Sequence, residues 1–311
     1  MSDERLFDRS LLRARRARFA AELPQHEFLL AHVATEISER LSAILREFPV
    51  ALDLGAHHGL LGQTIAKLPS VGAMIYAEST FALAARCPPP RLVCDEDLLP
   101  FGPACLDLVV SGLALHRVND LPGCLVQVRK SLRPDGLFMA ALLGARALQE
   151  LRHALLEAEA ETAGGASPRI SPFADVREYG ALLQRAGFAL PVADAETLTV
   201  TYPSPRALMR EVRAMGGGNV LIARRKAPLS RRTLARAEAI YRERHATPDG
   251  KVSATFEIVY VSGWAPDESQ QKPLKPGSAA KRLAEALHTT EHPAGDKASF
   301  PPAHSKTRKD G

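Results

Sequence analysis

From Val50 to Gly144 the chain repeats one unit: a short, almost uniformly apolar run, then a segment with helical spacing. The apolar runs are "VALDLG", "GAMIYAE", "RLVCD", "CLDLVVSGLAL" and "LFMAALLG"; between them lie "HGLLGQTIAKL", "TFALAARC" and "LPGCLVQVRKSL". Strands that are apolar on both faces belong to a parallel sheet with helices on either side. The expected fold is therefore α/β, a Rossmann-like doubly wound and mostly parallel sheet. "RPDG", after a basic last turn, reads as a helix stop that releases the chain into the fifth strand.

The flanks follow from the same patterning. Residues 1–48 read as an N-terminal helical segment, because "HEFLLAHVATEISERLSAILREF" sets apolar residues three or four apart. Residues 49–266 form the sheet domain, in which "ETLTVTYP" and "SATFEIVYVSGW" are late strands. A helical insert of about residues 203–250 separates them, and its "AMGGGN" can hinge over the mouth of a site. The Pro- and Lys-rich stretch 267–311 reads as a disordered tail. With no run of 18 apolar residues, no transmembrane helix is expected. The N-terminus lacks the apolar region of a signal peptide, and Asp3, Glu4 and Asp8 are unusual in a mitochondrial presequence despite "RARRAR". A bacterial cytoplasmic protein is the expectation. Four cysteines without CxxC spacing read as ordinary thiols, not as a zinc site. The net charge of +5 is uneven: residues 223–244 hold eight Lys/Arg against two Glu. That run is either a solvated helix face or a docking surface for an acidic partner. No aromatic stacking segment accompanies it, which points away from nucleic acid.

Ligands of such sheets sit beyond the carboxyl ends of the central strands. Here "VALDLGAHHGLLG" delivers Asp53, Gly55 and Gly59, an acid-x-Gly-x-x-x-Gly skeleton suited to close approach of a cofactor and ending at a helix N-terminus. His57 stands where another glycine is usual; if the position needs φ > 0, the exchange costs about 1 kcal/mol. Glu78, 19 residues after Gly59, ends the second strand, where a carboxylate can accept both hydroxyls of a ribose. Asp95 and Glu96, after the third strand, can meet an adenine amino group. His57 and His58 are adjacent, so their side chains diverge, and no third ligand lies at a telling distance; no metal is expected.

This combination resembles the class I S-adenosyl-L-methionine-dependent methyltransferase fold, which makes that molecule the implied cofactor, with Asp53, Gly55, His57, Gly59, Glu78, Asp95 and Glu96 as its site. The stretch "LDLVVSGLALHRVNDLPGCLVQVRKSLRPDGLF" resembles that fold more than a NAD-binding one. The likeness narrows further. "LFDRSLLRARRARFA", "DEDLLPF", "GGASPRISPF", "LLQRAGF", "YPSPRALMREVRAMGGGN" and "ATFEIVYVSGW" run in the order of the respiratory complex I assembly factors that act as protein-arginine hydroxylases, from about Leu6 to Ala279. The resemblance implies action on an arginine of the complex I subunit that carries the terminal iron–sulfur cluster, and leaves peripheral membrane association open. Ala56 and His57 depart from the family's glycine-rich loop, and His116-Arg117 from its usual His-Trp.

For methyl transfer the site needs positioning and a general base. Ser111, at the end of the fourth strand, and His116, five residues on, lie where a target group would enter, with His116 a base of near-neutral pKa. "SGLA" stands where amide- and adenine-methylating relatives carry an Asn/Asp-Pro-Pro-aromatic tetrapeptide, so that chemistry is disfavoured. Three functions remain: an arginine hydroxylase, a methyltransferase resembling those that esterify a malonyl carrier protein, and a non-catalytic assembly factor.

Overall fold

The computed structural model describes residues 5–271. Seven strands form one sheet: β1 (Phe48–Leu54), β2 (Val71–Glu78), β3 (Arg91–Val93), β4 (Leu106–Gly112), β5 (Leu132–Leu143), β6 (Ala189–Tyr202) and β7 (Val252–Trp264). Their order is β3-β2-β1-β4-β5-β7-β6. β1 to β5 pair in parallel, whereas β7 runs antiparallel to both β5 and β6. Order reverses between β1 and β4, so the crevice beyond their carboxyl ends is where this fold gathers a ligand.

Helices cover both faces. On one side α2 (Phe28–Ser42), α3 (Leu60–Ile65), α6 (Gln149–Ala163), α8 (Pro205–Ala214) and α9 (Arg231–His245) pack on the sheet. α2 presents Leu29, Val33, Ile37 and Leu41, one face of a 3.6-residue period, and all are buried. On the other side α5 (Leu121–Ser131) and α7 (Val176–Ala186) bury Leu125, Val128, Tyr179 and Leu183 against Val109 and Phe138. α4 (Phe81–Ala84) is a single turn, and α1 (Arg9–Phe19) lies over the carboxyl edge of the sheet. α8 and α9 fall between β6 and β7, in the insert. The tail expected from residue 267 lies, beyond 271, outside the described residues.

"RPDG" is not a stop before the strand. β5 begins at Leu132 and includes it, with Asp135 at φ +61°. The register against β4 jumps from Leu106↔Leu132 to Leu108↔Leu137, a bulge. The extra residues are held because Asp135 N–H donates to the Ala265 carbonyl and Ala265 N–H to that of Gly136.

Candidate active site: a nucleoside crevice and an apolar chamber

The loop after β1 has the backbone its glycines announce. Gly55 and Gly59 adopt φ +72° and +89°, and the Gly55 and Ala56 N–H groups both donate to the Ala77 carbonyl, 2.9 and 3.0 Å. A methyl group on Gly55 would lie 2.3 Å from the Ala114 Cβ, so the loops after β1 and β4 meet here. Asp53 is fully buried; one oxygen accepts from Gly62 N–H in the first turn of α3 at 2.9 Å, and the other has no partner among the described residues. Burial pushes its carboxyl up to about 7.

His57 does take φ +55°, the strained region a glycine would occupy freely. Its backbone N–H donates to Glu78 at 2.9 Å. Its ring bridges the crevice: Nε2 lies 2.9 Å from the Gly112 carbonyl, and Nδ1 lies 3.1 Å from the Arg16 guanidinium. That pattern suits a neutral imidazole with its proton on Nε2. Burial first, then the neighbouring Arg16, holds its pKa well below the histidine range. His58 points elsewhere, to Glu27 at 2.6 Å. No group of three His, Cys, Asp or Glu able to hold a metal occurs among the described residues.

Glu78 is wholly buried at the end of β2 and accepts from Arg16 at 2.6 Å and from Ser79 at 3.1 Å as well as from His57. Burial raises its pKa against the pull of Arg16. Asp95 accepts from Arg9 at 2.5 Å and from Arg13 at 2.6 Å, and Glu96 is bridged to Arg9. For Asp95, burial is outweighed by the Asp97 N–H and the two arginines, so its carboxyl sits below the usual range. Glu96 Oε1 lacks a hydrogen bond among the described residues and lies 3.6 Å from Arg16. The acids expected to hold a nucleoside thus converge on one place, together with arginines that the sequence reading did not assign there. The spacing of Arg9, Arg13 and Arg16, i, i+4 and i+7 on one helix face, was the available signal.

Beyond His57 the crevice opens into an apolar chamber of about 90 Å³. Leu113 and Leu143 at the strand ends, Leu30 of α2, Phe173 and Met215 are among its walls. Ser111 does not face it: the hydroxyl is buried and donates to the Leu54 carbonyl at 2.7 Å, inside the sheet. His116 does face it. The ring is 7% exposed, stands edge-on to Phe173, and has no hydrogen-bond partner at either nitrogen among the described residues. Its expected near-neutral pKa is corrected: burial, then Arg117, His57 and Arg16, depress it well below the ordinary value. Arg117, noted in the sequence only as a departure from the usual His-Trp and given no site role there, also lines the chamber and donates to the Gly216 carbonyl at 2.6 Å. No carboxylate among the described residues lies within 4.0 Å of it. Burial, then Arg16, Arg15 and Arg9, pushes its pKa down to about 10.

Comparison with known proteins bears on the fold and the family. Residues 52–140 match a family described as a methyltransferase domain. The chain is 41% identical over 288 residues to the human mitochondrial arginine-hydroxylase NDUFAF5, covering 90% of this chain and 83% of that protein. To the zebrafish (Danio rerio) protein of the same name it is 37% identical, covering 90% and 89%. It is 34% identical to a malonyl-[acyl-carrier protein] O-methyltransferase of Halorhodospira halophila, covering 87% and 92%. Among solved structures, the YcgJ protein of Bacillus subtilis superposes with a TM-score of 0.52 at 15% identity, covering 76% and 99%, which speaks to fold alone.

Proposed function

The chain belongs to the family of the NDUFAF5 arginine hydroxylases and is an enzyme of the S-adenosyl-L-methionine-dependent methyltransferase superfamily, and from that premise we propose that it modifies a protein during assembly of respiratory complex I. On this reading the substrate is the subunit with the terminal iron–sulfur cluster, and the modification is hydroxylation of one arginine. One observation carries it: over nearly the whole chain, well past residue 140 where the general methyltransferase match ends, identity is 41% to the human arginine-hydroxylase against 34% to the malonyl-carrier-protein methyltransferase.

S-Adenosyl-L-methionine is the cofactor of the superfamily, and when bound it supplies an activated methyl group. The residues suit it. A buried carboxylate ends β2, Gly55 leaves its Cα bare at the turn, and one Glu96 oxygen has no hydrogen bond among the described residues. Glu78 would hold the ribose, and Asp95 and Glu96 the adenine. Arg16 already draws on the Glu78 carboxylate, so a ribose bound there would share that acceptor with the guanidinium. In the chamber, His116 is held neutral and both its nitrogens lack partners among the described residues, so it would orient a target group by a hydrogen bond and not serve as a strong base. Hydroxylation also consumes dioxygen: one atom enters the C–H bond, and the other leaves as water with two electrons and two protons from a cellular reductant.

A second reading, methyl transfer to a carboxyl group, is favoured by Arg117, a cation with no carboxylate partner among the described residues. Mass spectrometry of the complex I iron–sulfur subunit from wild-type and deletion strains separates the two. We expect one arginine to be lighter by a single oxygen in the deletion strain. An unchanged arginine, or one lighter by a methyl group, would overturn the hydroxylase.

A further inference from the structure

The positive charge of this chain is met unevenly. On α9, Arg236 and Arg244 reach Glu161 and Glu157 of α6, and just before it Arg224 and Arg225 reach Asp8 and Glu159. Half of the basic run at 223–244 is thus matched from within. The rim formed by α1 and α8 is different. Arg15 and Arg18 on α1, and Arg210 and Arg213 on α8, have no carboxylate within 4.0 Å among the described residues. Arg18 stacks over the Phe19 ring at 5.8 Å, and Arg15 donates to the Asn219 carbonyl at 2.5 Å. Burial, then Arg224 and Arg213, lower the pKa of Arg15, so like charges are crowded here.

Along this rim runs a groove of about 530 Å³, walled in part by Phe19, Pro203, Ala207, Arg210 and Arg213. Of its two acids, Glu211 is taken by His26 at 2.7 Å, which leaves Glu22. Tyr202, also on the wall, is 8% exposed, and its hydroxyl has no hydrogen-bond partner among the described residues. The groove adjoins the chamber, because His26 lines both.

We propose that this groove docks an acidic segment of the protein substrate, with Arg210 and Arg213 meeting its carboxylates and the Tyr202 hydroxyl donating a hydrogen bond to it. Opposed charge around a site sets which partner is accepted and how fast it arrives. Phe19, Pro203 and Ala207 cover the apolar parts of the segment. A target arginine alone would meet only like charge at this rim; acidic neighbours in the same segment offset that repulsion. A membrane surface could meet the exposed arginines, but a flat sheet of headgroups cannot reach a buried phenol. The inference rests on the reading of the substrate as a protein, but not on which modification it receives.

The test is fluorescence anisotropy on the full-length protein with a short labelled peptide of Glu, Asp and Leu, and with its counterpart carrying Gln and Asn for the acids. The acidic peptide should bind at least about tenfold more tightly, and less so as salt is added. Arg210→Gln with Arg213→Gln should weaken it by about tenfold, the sum expected of two exposed ion pairs, and Tyr202→Phe by about threefold. Arg231→Gln with Arg232→Gln removes the same charge from the start of α9 and should change binding by less than about twofold. Matched melting curves exclude a folding defect. Equal binding of the amide peptide, an equal loss in the α9 variant, or unchanged binding in the α8 or Tyr202 variants would each overturn the proposal. So would binding to phosphatidylglycerol vesicles without binding to the peptide. An unchanged arginine in the complex I subunit would overturn hydroxylation and leave this experiment readable.

Discussion

The carboxyl of Asp53 has one oxygen on the Gly62 N–H and one without a partner, both inside the sheet. Such a group is cheaper to bury with its proton on, and its pKa rises from 3.8 to about 7. Because the folded protein then holds a proton that the unfolded chain has released, stability should fall as pH rises between those two values. The slope from this residue is at most about 1.4 kcal/mol per pH unit. Thermal melts of wild type and Asp53→Asn between pH 4 and 8 should diverge accordingly, the variant gaining on the wild type as pH rises. Parallel curves would mean that Asp53 is ionised throughout. The identity and strand-end position of this acid were legible in the sequence. Its protonation was not, because it depends on what packs around the oxygen and not on the residue. His57 is the converse case: the cost of a side chain at a glycine position could be anticipated, whereas its bridge from Arg16 to the Gly112 carbonyl needed β4 in place.

At the scale of elements, periodicity located the strands and the longer helices, since burial on one or two faces writes itself directly into the order of apolar residues. It could not place α1. A helix with "RARRAR" looks solvated, yet Arg9, Arg13 and Arg16 turn toward Asp95, Glu96 and Glu78, which lie more than 60 residues away in the chain. Long-range charge pairing leaves no local pattern except the i, i+4, i+7 spacing. If Glu78 holds the ribose, as proposed, this arrangement sets α1 in competition with it. We expect Arg16→Met, which keeps the stem but removes the charge, to bind adenosine several-fold more tightly than wild type in calorimetry. The change should not exceed about 100-fold, the upper end for one charged hydrogen bond. Equal or weaker affinity would mean that ribose and Arg16 share Glu78 without cost.

For the whole molecule, the chamber is made by parts of the chain that meet only in the folded state. Leu113 and His116 follow β4, Leu143 ends β5, Leu30 comes from α2, and Met215 closes the C-terminal end of α8. That is why the chamber was not legible in the sequence. Gly217 fixes how α8 ends: its N–H donates to the Val212 carbonyl at 2.7 Å, and a Cβ on it would approach that oxygen to 2.6 Å. Gly216, at φ +79°, anchors Arg117 through its carbonyl. A side chain at Gly217 therefore cannot be absorbed locally; it must push the end of α8, and with it Met215, away from the strand ends. His116, 7% exposed in the folded protein, should then become open to reagent. Diethylpyrocarbonate modifies neutral imidazoles, the form that burial imposes on this ring. Peptide mass mapping should find His116 protected in wild type and modified in Gly217→Val, while the sheet signal in circular dichroism is retained. Persistent protection in the variant would place the roof of the chamber elsewhere than on the insert.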